Sequence, residues 1–219
     1  MRVSLFHDST KRYDARRAIT CSLLVGLIGL FSAATLAQQA KLAESRRIDK
    51  YCKTLDAMIK KRRGPEMVFA DVSDYEKNNK ARWRKFASEK ALEKYREKSE
   101  AYTIAYVWRK QGKVVVTNFT LFSPSGDWAQ YVYSHFRPDG KLARVESELR
   151  TFQGDYIVIK RLYFNPAGKV IRRTSRYLDL QSRKPKRPSK EFASENSSWN
   201  NEDYFKSVSK LPFARLLRK

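Results

Sequence analysis

The chain has few of the residues on which enzyme sites usually depend. It contains two cysteines and two histidines in 219 residues, and no zinc-site spacing, phosphate-binding glycine loop or nucleophile elbow is present. Glu146 and Glu148 share one strand face, where cross-strand pairing with bases such as Lys160 and Arg172 accounts for them. We therefore predict a protein that is not an enzyme, with no catalytic residues, no metal site and no cofactor.

Acidic residues are also scarce relative to basic ones. The chain has 46 Lys and Arg against 23 Asp and Glu, a formal net charge of +23. Such a surface attracts anionic polymers and anionic membranes, although charge alone does not identify the partner. Hydrophobic residues make up 42% of the chain and aromatic residues 13%, which excludes wholesale disorder and predicts one domain with a core.

Charged residues are missing between Ala18 and Ala37. Arg16 and Arg17 precede this apolar run, and small residues end it, as in a secretory signal. We predict a signal peptide over residues 1–37, cleaved after Ala37, and therefore export to the periplasm or envelope of a bacterium. The alternative is an inner-membrane anchor through residues 18–37, because about 20 apolar residues can span a bilayer.

Two helices are expected in the segment 38–100. In residues 40–63 the apolar side chains recur with a helical period and form one stripe, ending at Gly64-Pro65. This stripe consists of Ile48, Tyr51, Cys52, Leu55, Met58 and Ile59. Cys52 lies within it, so we expect a buried structural thiol. Residues 81–100 form a second, highly charged helix candidate, and residues 65–80, rich in Asp and Asn, are predicted to form a loop.

Glycine is sparse, with eight residues in the chain, and five of them recur at a fixed spacing of fourteen. A proline precedes three of these glycines by two positions, and Pro-x-Gly favours a turn because Pro presets the first turn position and Gly accepts positive φ. The glycines are Gly112, Gly126, Gly140, Gly154 and Gly168, and the prolines are Pro124, Pro138 and Pro166. The repeat therefore predicts tight turns between strands of about ten residues.

We predict an α+β fold in which N-terminal amphipathic helices pack on a six-stranded antiparallel meander over residues 101–180, forming a curved sheet or a partly closed barrel. The strands fall near 101–110, 113–122, 127–136, 141–152, 155–164 and 169–180. In the last three strands most odd positions are apolar and many even positions are charged. This alternation predicts one core face under the first helix and one solvated face.

The pattern ends after residue 180. Residues 181–190 are rich in basic residues and proline and are typical of a linker. The last residues, DYFKSVSKLPFARLLRK, are apolar and basic together. Within this segment, 181–219, two alternatives remain open: the tail docks on the domain, or it contacts a membrane or a partner.

These features favour an exported, non-catalytic binding module with a basic surface. Its partner would be an anionic envelope polymer, an anionic membrane surface or an acidic protein, and the export signal argues against nucleic acid. The sequence does not indicate an oligomeric state. Expected contacts are Lys184, Lys186, Arg187, Arg215, Arg218, Arg172 and Arg176.

The alternative is a carrier of a lipid or another hydrophobic ligand. The curved sheet would then enclose a cavity between its strands. The expected cavity residues are Val116, Phe119, Trp128 and Tyr131.

Overall fold

A computed structural model describes Leu36 and residues 38–62, 64–73, 80–196 and 204–218. The chain divides into two compact units, Met1–Ala43 and Glu44–Lys219. The described residues of the first unit are helical. The predicted signal peptide lies almost wholly outside the described residues. Within the described part of the chain, no helix has the length and apolar character needed to cross a membrane.

The second unit is built on one antiparallel sheet in which each strand pairs with its neighbours in the order β2-β1-β3-β4-β5-β6-β7-β8. The strands are β1 (Met67–Asp71), β2 (Trp83–Phe86), β3 (Thr103–Lys110), β4 (Lys113–Phe122), β5 (Trp128–Phe136), β6 (Leu142–Thr151), β7 (Tyr156–Phe164) and β8 (Val170–Asp179). The α+β class is confirmed. The sheet has eight strands rather than six and does not close into a barrel.

The six strands predicted from the glycine spacing correspond to β3–β8. All five glycines of the repeat have φ between 71° and 80°, the region that side-chain-bearing residues rarely adopt. At the β5–β6 turn, for example, the amide of Gly140 donates to the carbonyl of Arg137 across 2.8 Å. Each glycine of the repeat therefore forms part of a turn, and the spacing of the turns sets the lengths of the strands.

The two additional strands come from segments for which the sequence predicts other structures. β1 lies in the predicted loop 65–80, and β2 occupies the start of the predicted helix 81–100. All five residues of β1 are buried, so no alternation of apolar and polar residues marks it as a strand. Only α2 (Glu89–Arg96) remains helical, and the Ser88 side chain caps it by accepting from the amide of Ala91.

The first helix, α1, spans residues 38–61. Its part within the second unit lies on one side of the sheet, here named the helix face. Ile48 and Cys52 pack against Ala143 and Tyr163, and Leu55 packs against a second cluster that includes Trp108 and Val116. Cys52 is fully buried, as the apolar stripe predicts. α2 covers the β1–β3 end of the same face through Leu92.

The opposite side of the sheet, here named the tail face, is covered by residues 204–218, here named the C-terminal tail. Phe213 is buried and stacks on Phe69 with 4.3 Å between ring centroids. The ring centroids of Phe205 and Phe119 lie 5.3 Å apart. Of the two alternatives left open for the tail, the structure shows the first: the tail docks on the domain. The short helix α3 (Lys190–Glu195) covers the β7–β8 end of this face through Phe192.

The prediction of one core face and one solvated face is wrong for this sheet. Leu149 pairs with Val158, so an odd position on β6 shares a face with an even position on β7. Because the parity reverses from one strand to the next, the odd apolar residues are distributed over both faces. Each face then needs its own cover, which α1 and α2 supply on one side and the C-terminal tail on the other.

Candidate functional site: a basic groove and a buried ionic cluster

A groove of about 720 Å³ lies where the C-terminal tail meets the β3–β4 and β5–β6 turns. Gly112 and Gly140 contribute turn backbone to its wall. The tail is held here by two backbone hydrogen bonds, from Val208 N to Gly140 O and from Leu142 N to Lys206 O, each 2.9 Å long. We name this site the basic groove, for the side chains around it.

Four basic side chains and one acidic side chain line the basic groove: Arg109, Lys113, Arg215, Arg218 and Asp139. Arg109 is bound by Glu66, whose Oε2 accepts from its Nε across 3.1 Å. Asp139 forms an ion pair with Lys141, in which Oδ2 lies 3.9 Å from Nζ.

The other three cations have no counter-charge bound to them in the part of the chain that the structure describes. Among the described residues, Lys113, Arg215 and Arg218 have no ion pair, and all three are exposed. The basic groove therefore presents a net positive charge to solvent.

Apolar side chains form the remaining wall of the groove. Val114 is buried, whereas Val208, Ala214 and Leu217 are partly exposed. Residues Ala214–Arg218 form a 3₁₀ helix, in which side chains three positions apart share one side. Arg215 and Arg218 thus form one row, and Ala214 and Leu217 form the row next to it.

The structure does not bring the predicted anionic-ligand contacts together. Arg215 and Arg218 line the basic groove, whereas Lys186 is bound elsewhere, its Nζ 2.8 Å from Gly154 O and 3.3 Å from Asp179 Oδ2. Lys184 and Arg187 flank Lys186 in the segment after β8 and are exposed.

The two arginines predicted on β8 lie on the helix face. Arg172 pairs with Tyr163 in the strand register and donates to Ser45 Oγ across 3.3 Å. Arg176 pairs with Ile159 and shares that face. The seven predicted contacts therefore belong to three separate surfaces, and the basic groove combines two of them, Arg215 and Arg218, with a concave shape.

The four predicted cavity residues do not share a cavity, which corrects the cavity prediction. Val116 lies opposite His135, and Tyr131 lies opposite Thr120, on the helix face. Phe119 and Trp128 fall on the tail face, where Phe119 contacts Phe205 and Phe213. The physical reason is the pleat: positions of opposite parity on one strand point to opposite sides of an open sheet.

A second site lies between α1 and the centre of the sheet, in a cleft of about 520 Å³. His135 is 1% exposed, and its Nε2 lies 2.7 Å from Asp56 Oδ1. Arg144, paired with His135 in the register, reaches Asp49 Oδ1 at 3.1 Å and Asp56 Oδ2 at 3.4 Å. The hydroxyl of Tyr163 donates to Asp49 across 3.0 Å. We name these five residues the ionic cluster.

Burial and hydrogen bonding together set the pKa values of His135 and Asp56. Burial lowers the pKa of His135, since the charged imidazolium would lose its hydration. Burial alone would raise the pKa of Asp56, but the bonds from His135 and Arg144 outweigh it and leave that pKa below its usual value. The arrangement therefore pairs a neutral imidazole with an ionised carboxylate.

An imidazole oriented by a carboxylate could serve as the base of a nucleophilic site, but Cys52, the cysteine that the structure describes, does not supply the nucleophile. Cys52 is fully buried, and burial raises the pKa of its thiol to about 12, so it lacks the thiolate that a cysteine nucleophile needs. Across the described ranges, no group of three or more His, Cys, Asp or Glu is placed to hold a metal ion. The cluster is suited to attaching α1 to the sheet.

Sequence patterns give no signal for the ionic cluster and a single signal for the basic groove. Asp56 and His135 are 79 positions apart, and the basic groove joins two turns with a tail that follows from residue 204. The one useful signal was the mixture of basic and apolar residues in the tail itself.

Comparison with protein-family models, with curated proteins and with solved structures gives no match.

Proposed function

We propose that this chain is an exported, non-catalytic binding module that holds an anionic partner in the basic groove. The partner class is an anionic envelope polymer, an anionic membrane surface or an acidic protein. The observation that carries the proposal is the set of three exposed cations, Lys113, Arg215 and Arg218, gathered around one concave site without an ion pair among the described residues.

The charge of the whole chain supports this proposal. At a net charge of +23 the protein attracts polyanions from any direction, and the groove gives that attraction a defined place. The 3₁₀ helix that carries both arginines is docked on the sheet by Phe213, so its backbone does not have to be ordered when an anion binds.

The test uses dextran sulfate as a polyanion of simple chemistry. We expect binding at about 0.1 M salt, where the Debye length is about 10 Å, and loss of most affinity at about 1 M, where it is about 3 Å. The double variant Arg215→Gln/Arg218→Gln should weaken binding roughly 3- to 10-fold. Affinity that is indifferent to salt would contradict the proposal.

A matched control distinguishes binding in the groove from attraction by the overall positive charge. Arg46 and Arg47 are exposed on α1, so Arg46→Gln/Arg47→Gln removes the same charge from another surface. We expect this variant to retain most of the dextran sulfate affinity. Equal losses in the two double variants would show that binding is diffuse and that the basic groove is not its site.

A further inference from the structure

We propose that the basic groove selects an anionic amphiphile, namely a lipid with a phosphate or similar anionic headgroup whose chain begins inside the groove. The proposal depends on the proposed function, because both place the anionic group on the same arginines. It adds a second requirement, which is that apolar carbon next to the anion contributes to binding.

The 3₁₀ helix carries the main observation. Arg215 and Arg218 lie in one row, while Ala214 and Leu217 form the adjacent row. Both rows line the groove, so a cationic strip runs beside an apolar strip. An amphiphile has this same juxtaposition of a charged group and methylenes, whereas a sulfated or carboxylated polysaccharide offers only the charge.

The apolar strip extends beyond the helix into the floor of the groove. Val114 on β4 and Val208 on the tail also line the groove, and Leu217 is partly exposed there, as are Val208 and Ala214. The groove is open beside Gly112, since an added Cβ there would meet no atom within 4 Å. The volume of about 720 Å³ is in the range of lipid- and drug-sized sites.

The experiment titrates the full-length protein with alkyl phosphates of increasing chain length, kept below their micelle concentrations, and with inorganic phosphate. Each buried methylene should raise affinity by a factor of about four. Octyl phosphate should thus bind far more tightly than butyl phosphate. Sedimentation with vesicles should show binding to phosphatidylcholine mixed with phosphatidylglycerol and none to phosphatidylcholine alone.

Two variants test whether the arginine row binds the anionic group and the apolar row binds the alkyl chain. Leu217→Asn should reduce the gain from octyl over butyl phosphate several-fold, a ratio that is measured within the one variant. Arg215→Gln/Arg218→Gln should weaken all of these ligands. Phe152→Asn is the matched control, because Phe152 is 66% exposed in the β6–β7 turn and lies outside the groove. Circular dichroism establishes that each variant is folded.

The outcomes separate this proposal from the proposed function. If dextran sulfate binds through the arginines but affinity is the same for butyl and octyl phosphate, the groove is an anion site and the amphiphile proposal is wrong. If neither dextran sulfate nor phosphate esters depend on Arg215 and Arg218, both proposals fail. Binding to inorganic phosphate as tight as to octyl phosphate would identify a free-phosphate site.

Discussion

Nε2 of His135 donates a hydrogen bond to Oδ1 of Asp56 across 2.7 Å, and this bond joins α1 to the central strand β5. The same carboxylate accepts from Arg144 through its other oxygen. These bonds act together with those that Asp49 accepts from Arg144 and Tyr163, so α1 is attached to the sheet by polar as well as apolar contacts. The bond between His135 and Asp56 also makes the attachment of α1 sensitive to pH.

Stability should fall in two steps as the pH decreases. The pKa of His135 is lowered in the fold by burial, so the unfolded chain binds a proton first, and the contribution is lost as the pH falls below about 6.5. The pKa of Asp56 is lowered as well, so its contribution is lost later, as the pH falls from about 4 through its folded value. Urea unfolding across this range should show both steps.

His135→Gln isolates the first step, because glutamine can donate to Asp56 but does not titrate. We expect this variant to lose the decline that begins near pH 6.5 and to retain the decline at lower pH. If the wild type and the variant have parallel pH profiles, His135 does not control the attachment of α1.

Arg144 should contribute far more to stability than a surface arginine. It is 6% exposed and satisfies two carboxylates, and breaking a buried ion pair costs about 3–5 kcal/mol. Because Asp49 and Asp56 are 30% and 40% exposed, we expect Arg144→Met to cost about 2–3 kcal/mol. Urea unfolding at pH 7 measures the loss.

Arg150 provides the comparison for Arg144. It also pairs with a carboxylate, Glu148 at 2.7 Å, but is 41% exposed. Arg150→Met should therefore cost at most about 1 kcal/mol. Similar losses for Arg144→Met and Arg150→Met would mean that burial does not determine the strength of the ionic cluster.

The part of the fold that the sequence predicts is the part encoded by local chemistry. A turn glycine and its proline act over four residues, so Gly140 with Pro138 is enough to place one hairpin, and repetition places β3–β8. The stripe of α1 is likewise local. β1 and β2 are not, because Met67–Asp71 is buried on both sides and therefore carries neither a period of two nor a period of 3.6.

The sites depend on contacts between distant segments, which a single sequence does not indicate. The charged even positions of β6 suggest a solvated face, yet Arg144 is buried because Asp49 and Asp56 lie above it on α1. Likewise, the tail shows its basic and apolar character in sequence, but only docking on Phe69 and Phe119 arranges the arginines around a groove.

Docking of the C-terminal tail should depend on one aromatic side chain. Phe213 is 1% exposed and contacts Phe69, Phe119 and Trp83, and truncating a buried Phe to Ala costs about 3–5 kcal/mol. We expect Phe213→Ala to cause this loss and to make Lys206 and Lys210 susceptible to trypsin. Phe152→Ala, at an exposed turn, should change stability by less than about 0.5 kcal/mol. A tail that stays protected in Phe213→Ala would contradict this role.

Two glycines of the repeat should differ sharply in their tolerance of alanine. Gly126 and Gly154 have φ of 80° and 71°, so the conformational cost of a side chain, about 1–2 kcal/mol, is shared. An added Cβ at Gly126 would meet no atom within 4 Å, whereas one at Gly154 would lie 2.7 Å from the Tyr156 ring. That ring stacks on Phe192 at 4.3 Å and has little freedom to move.

Gly154→Ala should therefore be less stable than Gly126→Ala by about 1–3 kcal/mol, the usual cost of overpacking. Urea unfolding of the two variants measures this difference directly. Tyr156→Leu provides the control, because in that background the ring is gone and the two alanine variants should become nearly equal. If they differ just as much without the ring, the cost at Gly154 arises in the backbone of the turn. If they converge, the equal spacing of the glycines encodes one turn conformation, while the core beneath each turn determines how strictly glycine is required.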